Sequence, residues 1–179
     1  MDKLLLKLHS VHDYDACLKT LKATSYDKEN KAYLCNNPIQ VYDFDCFTEI
    51  LYPPPNKKPR SFDALVILDL CLYCIEFKNQ LPSKIDNAEL QEKLEGGQET
   101  LKELFRKYNL QKKAYDFLFF VVYKKPKSMN DFDGYKNHFS ATTSKFNLES
   151  QLKSYFKTNK VITHDVAFLS QKYSSLLNE

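Results

Sequence analysis

Apolar residues along this chain fall into a few long runs, and the runs differ in period. Ala64 to Leu68 is continuously apolar, and a second run from Leu70 to Ile75 follows Asp69. Continuous runs of this length predict strands covered on both faces, here residues 62–68 and 72–79 paired antiparallel around a turn near Asp69. Tyr115 to Tyr123 is apolar almost throughout and predicts a central strand. Ile39 to Phe47 carries Val41, Tyr42, Phe44 and Phe47 and predicts another strand. Other segments have helical spacing. After Ser10, a candidate N-cap, come Val11, Tyr14, Cys17, Leu18 and Leu21. After Asp86, a second candidate cap, Leu90, Leu94, Gly97, Leu101, Leu104, Phe105 and Tyr108 form one stripe. Gly96-Gly97 interrupts it, which calls for either close approach to the sheet or a kink. A short helix is expected over Leu148 to Phe156, a small strand over Val161 to Thr163, and a helix over Asp165 to Leu177.

Pro53 to Arg60 is a stiff basic connector leading into Asp63, and residues 24–38 and 128–145 are polar and loop-like. The order of elements predicts a single α/β domain over 1–179, with a mixed central β-sheet flanked by helices. Its core spans about 39–125, and a helical extension spans about 146–179.

Composition narrows the function classes. The 179 residues suffice for one sizeable core, and 43% hydrophobic content argues for a globular chain rather than a disordered one. A net charge of +3 is too small to point to nucleic acid by itself. No run reaches transmembrane length and the N-terminus lacks signal-peptide features, so no membrane and a cytoplasmic location are expected. Five cysteines without a framework pattern predict reduced thiols. Three glycines leave no phosphate-binding loop or dinucleotide fingerprint. Cys71-x-x-Cys74 has no second pair, and His9-x-x-His12 lacks a third ligand.

The informative charges lie at the end of the apolar hairpin. Strand alternation puts Cys74, Glu76, Lys78 and Gln80 on one face. A two- or four-residue turn places Asp63 opposite Glu76, and a small register change places it opposite Lys78, on the same face. Carboxylates beside so apolar a run are costly unless paired or bound to a cation. Two carboxylates suffice for Mg²⁺, which keeps several waters, and a neighbouring lysine can stabilise charge on a phosphodiester. The plain alternative is a surface pair of Glu76 and Lys78 on an edge strand, with Asp63 capping a turn.

Asp63 followed by Glu76-x-Lys78 on the next strand, with a helix after it, resembles the PD-(D/E)xK nuclease superfamily, whose fold is called restriction-endonuclease-like. Phe62 stands where that family usually has proline. The resemblance covers about half the chain. It implies a metal-dependent nuclease, a hydrolase of DNA phosphodiesters using Mg²⁺ or Mn²⁺, with Asp63, Glu76 and Lys78 catalytic and Asp63 and Glu76 as metal ligands. Gln80 is a candidate for contacting substrate or a metal-bound water. Glu49, preferred over Glu29, is a candidate third acidic ligand. Lys57, Lys58, Arg60, Lys124 and Lys125 are candidate phosphate contacts. The chain's small size suggests a homodimer or a subunit of a larger complex. The alternative is a non-catalytic relative that binds nucleic acid or a protein partner.

Overall fold

A two-residue turn at Asp69 and Leu70 sets the register of the central sheet. The structure, a computed structural model, describes residues 2–124, 146 and 148–165. Both turn residues have positive φ, 48° and 60°, the left-handed geometry that suits the twist of a tight hairpin. The strands it joins are β5 (Ala64–Leu68) and β6 (Cys71–Lys78), paired antiparallel from Leu68↔Cys71 to Ala64↔Ile75. Carried one step past the ladder, the same register sets Asp63 against Glu76, while the Asp63 N–H donates to the Ile75 carbonyl at 2.9 Å. The hairpin is thus as the apolar pattern predicts.

Before it come α1 (Lys3–His9), α2 (His12–Asp15), β1 (Leu18–Thr20), α3 (Leu21–Thr24), a small hairpin of β2 (Tyr26–Asp27) and β3 (Ala32–Tyr33), β4 (Gln40–Asp43) and α4 (Phe44–Leu51). After it come α5 (Asn87–Lys107), β7 (Asp116–Tyr123) and β8 (Asn159–Asp165). Six strands form one mixed sheet in the order β1-β4-β5-β6-β7-β8. The first four pair antiparallel, and β6, β7 and β8 run parallel. The chain is therefore one α/β domain. No helix among the described residues is long and apolar enough to cross a membrane.

The larger core lies between the sheet and helices α1, α4 and α5. Leu65, Ile67, Leu72, Cys74, Phe117, Phe119 and Val121 meet the α5 stripe of Leu90, Leu94, Leu101, Leu104 and Phe105. Asp86 caps α5, accepting from the Ala88 and Glu89 N–H groups. Gly96 and Gly97 are sites of close approach within an unbroken helix. An added Cβ would lie 1.9 Å from the Arg60 carbonyl oxygen at Gly96, and 2.3 Å from the Phe62 ring at Gly97. Phe62 is fully buried and stacks on Phe44 at 4.0 Å. The two glycines therefore let Arg60-Ser61-Phe62 lie against α5, which brings Asp63 beside that helix.

Four expectations need correction. The helix expected from Ser10 to Leu21 is replaced by α1, α2 and β1. Asp2 caps α1, and Ser10 closes it, with its hydroxyl donating to the Lys7 carbonyl at 2.8 Å. Leu18 to Thr20 is drawn into the sheet by pairing with β4. The strand expected to reach Phe47 stops at Asp43, whose side chain caps α4. The helix expected over Leu148 to Phe156 is only a 3₁₀ turn, Leu148–Gln151. Gln98 takes its backbone groups instead, accepting from the Lys153 N–H at 2.8 Å and donating to the Gln151 carbonyl at 3.3 Å. Finally, Cys17 and Cys46 form a disulfide, with Cα atoms 5.5 Å apart. Reduced thiols were expected because five cysteines show no framework pattern, but the β1–β4 pairing brings these two together. Cys35, Cys71 and Cys74 are free.

The region beyond residue 125 also contributes more than a helical extension, since β8 completes the sheet. The helix expected over Asp165 to Leu177 lies outside the described residues, apart from Asp165 at the end of β8.

The close approach at α5 has a direct test. Overpacking costs about 1–3 kcal/mol, while Gly to Ala gains a helix interior only roughly 1 kcal/mol. Gly96→Ala and Gly97→Ala should therefore each lower the urea midpoint. Gly96→Ala should be the worse of the two, because backbone cannot move aside as readily as a ring. A raised midpoint in either would contradict the packing described.

Candidate functional site

Asp63, Glu76 and Lys78 are brought to one end of the sheet, on the face covered by α5. Register puts the two carboxylates opposite one another, and alternation puts Lys78 on the face of Glu76. From α5, Lys93 reaches both acids: its Nζ is 2.7 Å from Glu76 Oε1 and 3.5 Å from Asp63 Oδ1. Lys78 Nζ lies 3.2 Å from Glu76 Oε1 and 2.8 Å from Glu89 Oε2, also on α5. Asp63 Oδ2 accepts from the Phe77 N–H at 2.7 Å. Glu89, Lys93 and Gly97 follow at four-residue spacing, so the two charges continue the line along which α5 meets Phe62.

Glu76 is fully buried. Its second oxygen, Oε2, has no hydrogen-bond partner among the described residues. An orphaned buried carboxylate oxygen is rare and costly. Burial and the neighbouring Asp63 charge push the Glu76 pKa up to about 8, outweighing the opposite pull of Lys93 and Lys78. Burial also raises Asp63, opposed by the Lys93 charge and the Phe77 N–H. Asp63 keeps a quarter of its side-chain surface. Burial alone would depress Lys93, but Asp63 and Glu76 reverse this and hold it firmly protonated. Burial would raise Glu89, but the Lys78 hydrogen bond and charge bring it below its ordinary value.

The cluster borders two pockets. One, open and about 300 Å³, is lined by Asp45, Lys58, Arg60, Ser61, Glu89 and Lys93 among others. The other, about 120 Å³, is lined by Asp63, Phe77 and Asn79 from the sheet and by Thr24, Tyr26, Asp27 and Leu34. Lys93 therefore faces one opening and Asp63 the other.

The remaining expected residues are less central. Glu49 is an exposed residue of α4 paired with Lys58 at 3.1 Å. One turn earlier, Asp45 also pairs with Lys58, at 3.3 Å, and its charge acts on Asp63. Gln80 is exposed beyond the end of β6, where alternation no longer holds. Arg60 pairs with Glu92 at 3.0 Å, and Lys57 is exposed in the connector. The Lys124 N–H donates to the Lys78 carbonyl at 3.1 Å, so Lys124 sits where β6 ends. Lys125 lies outside the described residues. Sequence reading missed Lys93, Glu89 and Asp45.

The donor set is oxygen-only at Asp63 and Glu76, and one ammonium already touches both. Among the described residues, no group of three or more His, Cys, Asp or Glu is arranged to hold a metal ion. A cation here would have two side-chain ligands, with Glu76 Oε2 free to accept one.

Glu76 makes stability depend on pH. It keeps its proton to about pH 8 in the fold but only to about 4.5 when unfolded, so the folded chain binds more protons in between. Stability must then fall as pH rises through that window. Glu76→Gln, which mimics the protonated acid, should match wild type near pH 5 in EDTA and exceed it near pH 9. Chemical denaturation at the two pH values measures this. Equal differences at both pH values would refute the raised pKa.

Comparison with protein-family models, curated proteins and solved structures finds no match to this chain.

Proposed function

We propose that this protein is a metal-dependent nuclease that hydrolyses DNA phosphodiester bonds. Asp63 and Glu76 would hold Mg²⁺ or Mn²⁺, and Lys78 would lie beside the scissile phosphate. One observation carries the reading: two carboxylates, one just before β5 and one on β6, converge on a single cationic atom, Lys93 Nζ, at a partly open end of the sheet. The orphaned Glu76 Oε2 adds to it, because a buried acceptor without a donor suits a cation ligand. The resemblance to the PD-(D/E)xK superfamily adds the element order. A helix, β4, β5, β6, α5 and β7 occur in the order that the resemblance implies, with α4 inserted between β4 and β5, Asp63 one residue before β5, and Glu76 and Lys78 on β6.

When bound, a divalent cation supplies an acidified water and neutralises phosphate charge. The chain's own residues do the rest. The Phe77 N–H fixes the Asp63 carboxylate. Glu89 holds the Lys78 ammonium in place, 3.2 Å from Glu76. That ammonium is positioned to stabilise negative charge as it grows on the phosphate. Lys58 and Arg60 line the open pocket beside Lys93, where a strand backbone can be followed.

A second reading has its own support. Lys93 and Lys78 already compensate Asp63 and Glu76, as they would in a nuclease fold kept for binding alone. Cleavage separates the two. Asp63→Ala and Glu76→Ala should lose metal binding and DNA cleavage together. Lys78→Ala should keep metal binding but slow the chemical step on the order of a hundredfold or more, as loss of a charge-stabilising group does. Equal cleavage by wild type and Glu76→Ala would place the activity elsewhere. Absence of cleavage on single-stranded, nicked and duplex DNA, with tight nucleic-acid or protein binding, would favour the binding-only reading.

A further inference from the structure

The small hairpin β2–β3 carries a feature that the carboxylate site does not use. Tyr26 and Tyr33 are cross-strand partners with ring centroids 4.9 Å apart, tilted by 47°. Both are exposed, 41% and 52%. The other large apolar side chains exposed among the described residues, Leu6 in α1 and Leu70 in the β5–β6 turn, are aliphatic. A cross-strand aromatic pair helps hold a hairpin together, which accounts for the contact between the rings. It does not account for the charges around them. Lys22 Nζ stands 5.0 Å over the Tyr33 ring, and Lys28 and Lys31 are exposed in the hairpin.

The pair is also tied to the carboxylate site. Tyr26 lines the same small pocket as Asp63. Asp27, the next residue, accepts hydrogen bonds from the Glu29 and Asn30 N–H groups and from the Asn79 side chain, directly after Lys78. The hairpin is thus pinned to the end of β6.

We propose that Tyr26 and Tyr33 form a stacking platform for an unpaired nucleobase, with Lys22, Lys28 and Lys31 meeting the adjoining phosphates. The identity of the ligand rests on the nuclease reading. Exposed aromatic faces beside Lys22, Lys28 and Lys31, with Asp27 turned to the Asn79 side chain and to its own turn, suit single-stranded nucleic acid, because every base offers a π-face and every nucleotide a charge. Bases within a duplex are already stacked on both sides, so the platform selects unpaired segments. Its place at the Asp63 pocket sets the stacked base across the carboxylates from the pocket lined by Lys58 and Arg60.

The test is fluorescence anisotropy of the full chain with a labelled single-stranded DNA oligonucleotide and with the matching duplex, in EDTA. Wild type should bind the single strand more tightly. Tyr26→Ala and Tyr33→Ala should each weaken that binding by roughly five- to a hundredfold, the usual effect of losing one stacked base. Tyr26→Phe and Tyr33→Phe should keep it. An oligonucleotide bearing 5-iododeoxyuridine, irradiated with wild type, should crosslink at Tyr26 or Tyr33, a readout that needs no variant to fold. Binding unchanged by both alanine variants, or crosslinks only elsewhere, would overturn the platform while leaving the nuclease reading intact. So would duplex cleavage without single-strand binding. No binding and no cleavage of any nucleic acid would overturn both.

Discussion

The contact on which the site depends is the Lys93 ammonium set against Asp63 and Glu76. Like charges on opposed strands, one of them fully buried, are costly without a cation between them. Lys93 arrives only because α5 lies close against the chain before β5, and that closeness depends on Gly96 and Gly97 accepting Arg60 and Phe62. Removing one partner of such a buried cluster typically costs about 3–5 kcal/mol, because the other charge is stranded. The arrangement is therefore coherent from helix packing to electrostatics. The hairpin register opposes the acids, the glycines admit the helix, and the helix delivers the compensating charge.

Even so, compensation is incomplete. Asp63, Glu76 and Glu89 together face Lys78 and Lys93, so three acids share two ammonium groups. The shortfall falls on Glu76, the most buried acid, which responds by holding a proton far above the ordinary carboxylate range. Full burial of one acid, more than the count of acids, separates this cluster from a surface ion pair. The retained proton is also consistent with the burial of Glu76 and Lys78 on one strand, the lysine being paired with that acid and with Glu89.

Much of this was legible in the sequence. The continuous run of Ala64 to Leu68, the turn at Asp69 and strand alternation together bring Asp63, Glu76 and Lys78 to one end of the hairpin, as the ion pairs among them and Lys93 show. The stripe from Leu90 to Phe105 predicts the buried face of α5. Lys93 was not legible, because a lysine on a long charged helix resembles a solvated one. A signal existed in the four-residue steps from Glu89 to Lys93 to Gly97, beside the apolar stripe. The glycines left kink and close approach equally open, and only the position of Phe62 decides between them. At the N-terminus, helical spacing from Val11 to Leu21 was overridden by strand pairing with β4, which local sequence does not encode. The Cys17–Cys46 pairing follows from that same long-range contact.

The most direct measurement is calorimetric titration of Mn²⁺ into wild type, Lys93→Met and Glu76→Gln at neutral pH. Wild type should bind one ion per chain, and Lys93→Met should bind it more tightly, because the ammonium that competes for both carboxylates is gone. Glu76→Gln should bind weakly or not at all. No binding by either wild type or Lys93→Met, or undiminished binding by Glu76→Gln, would contradict the assignment of Asp63 and Glu76 as a cation site.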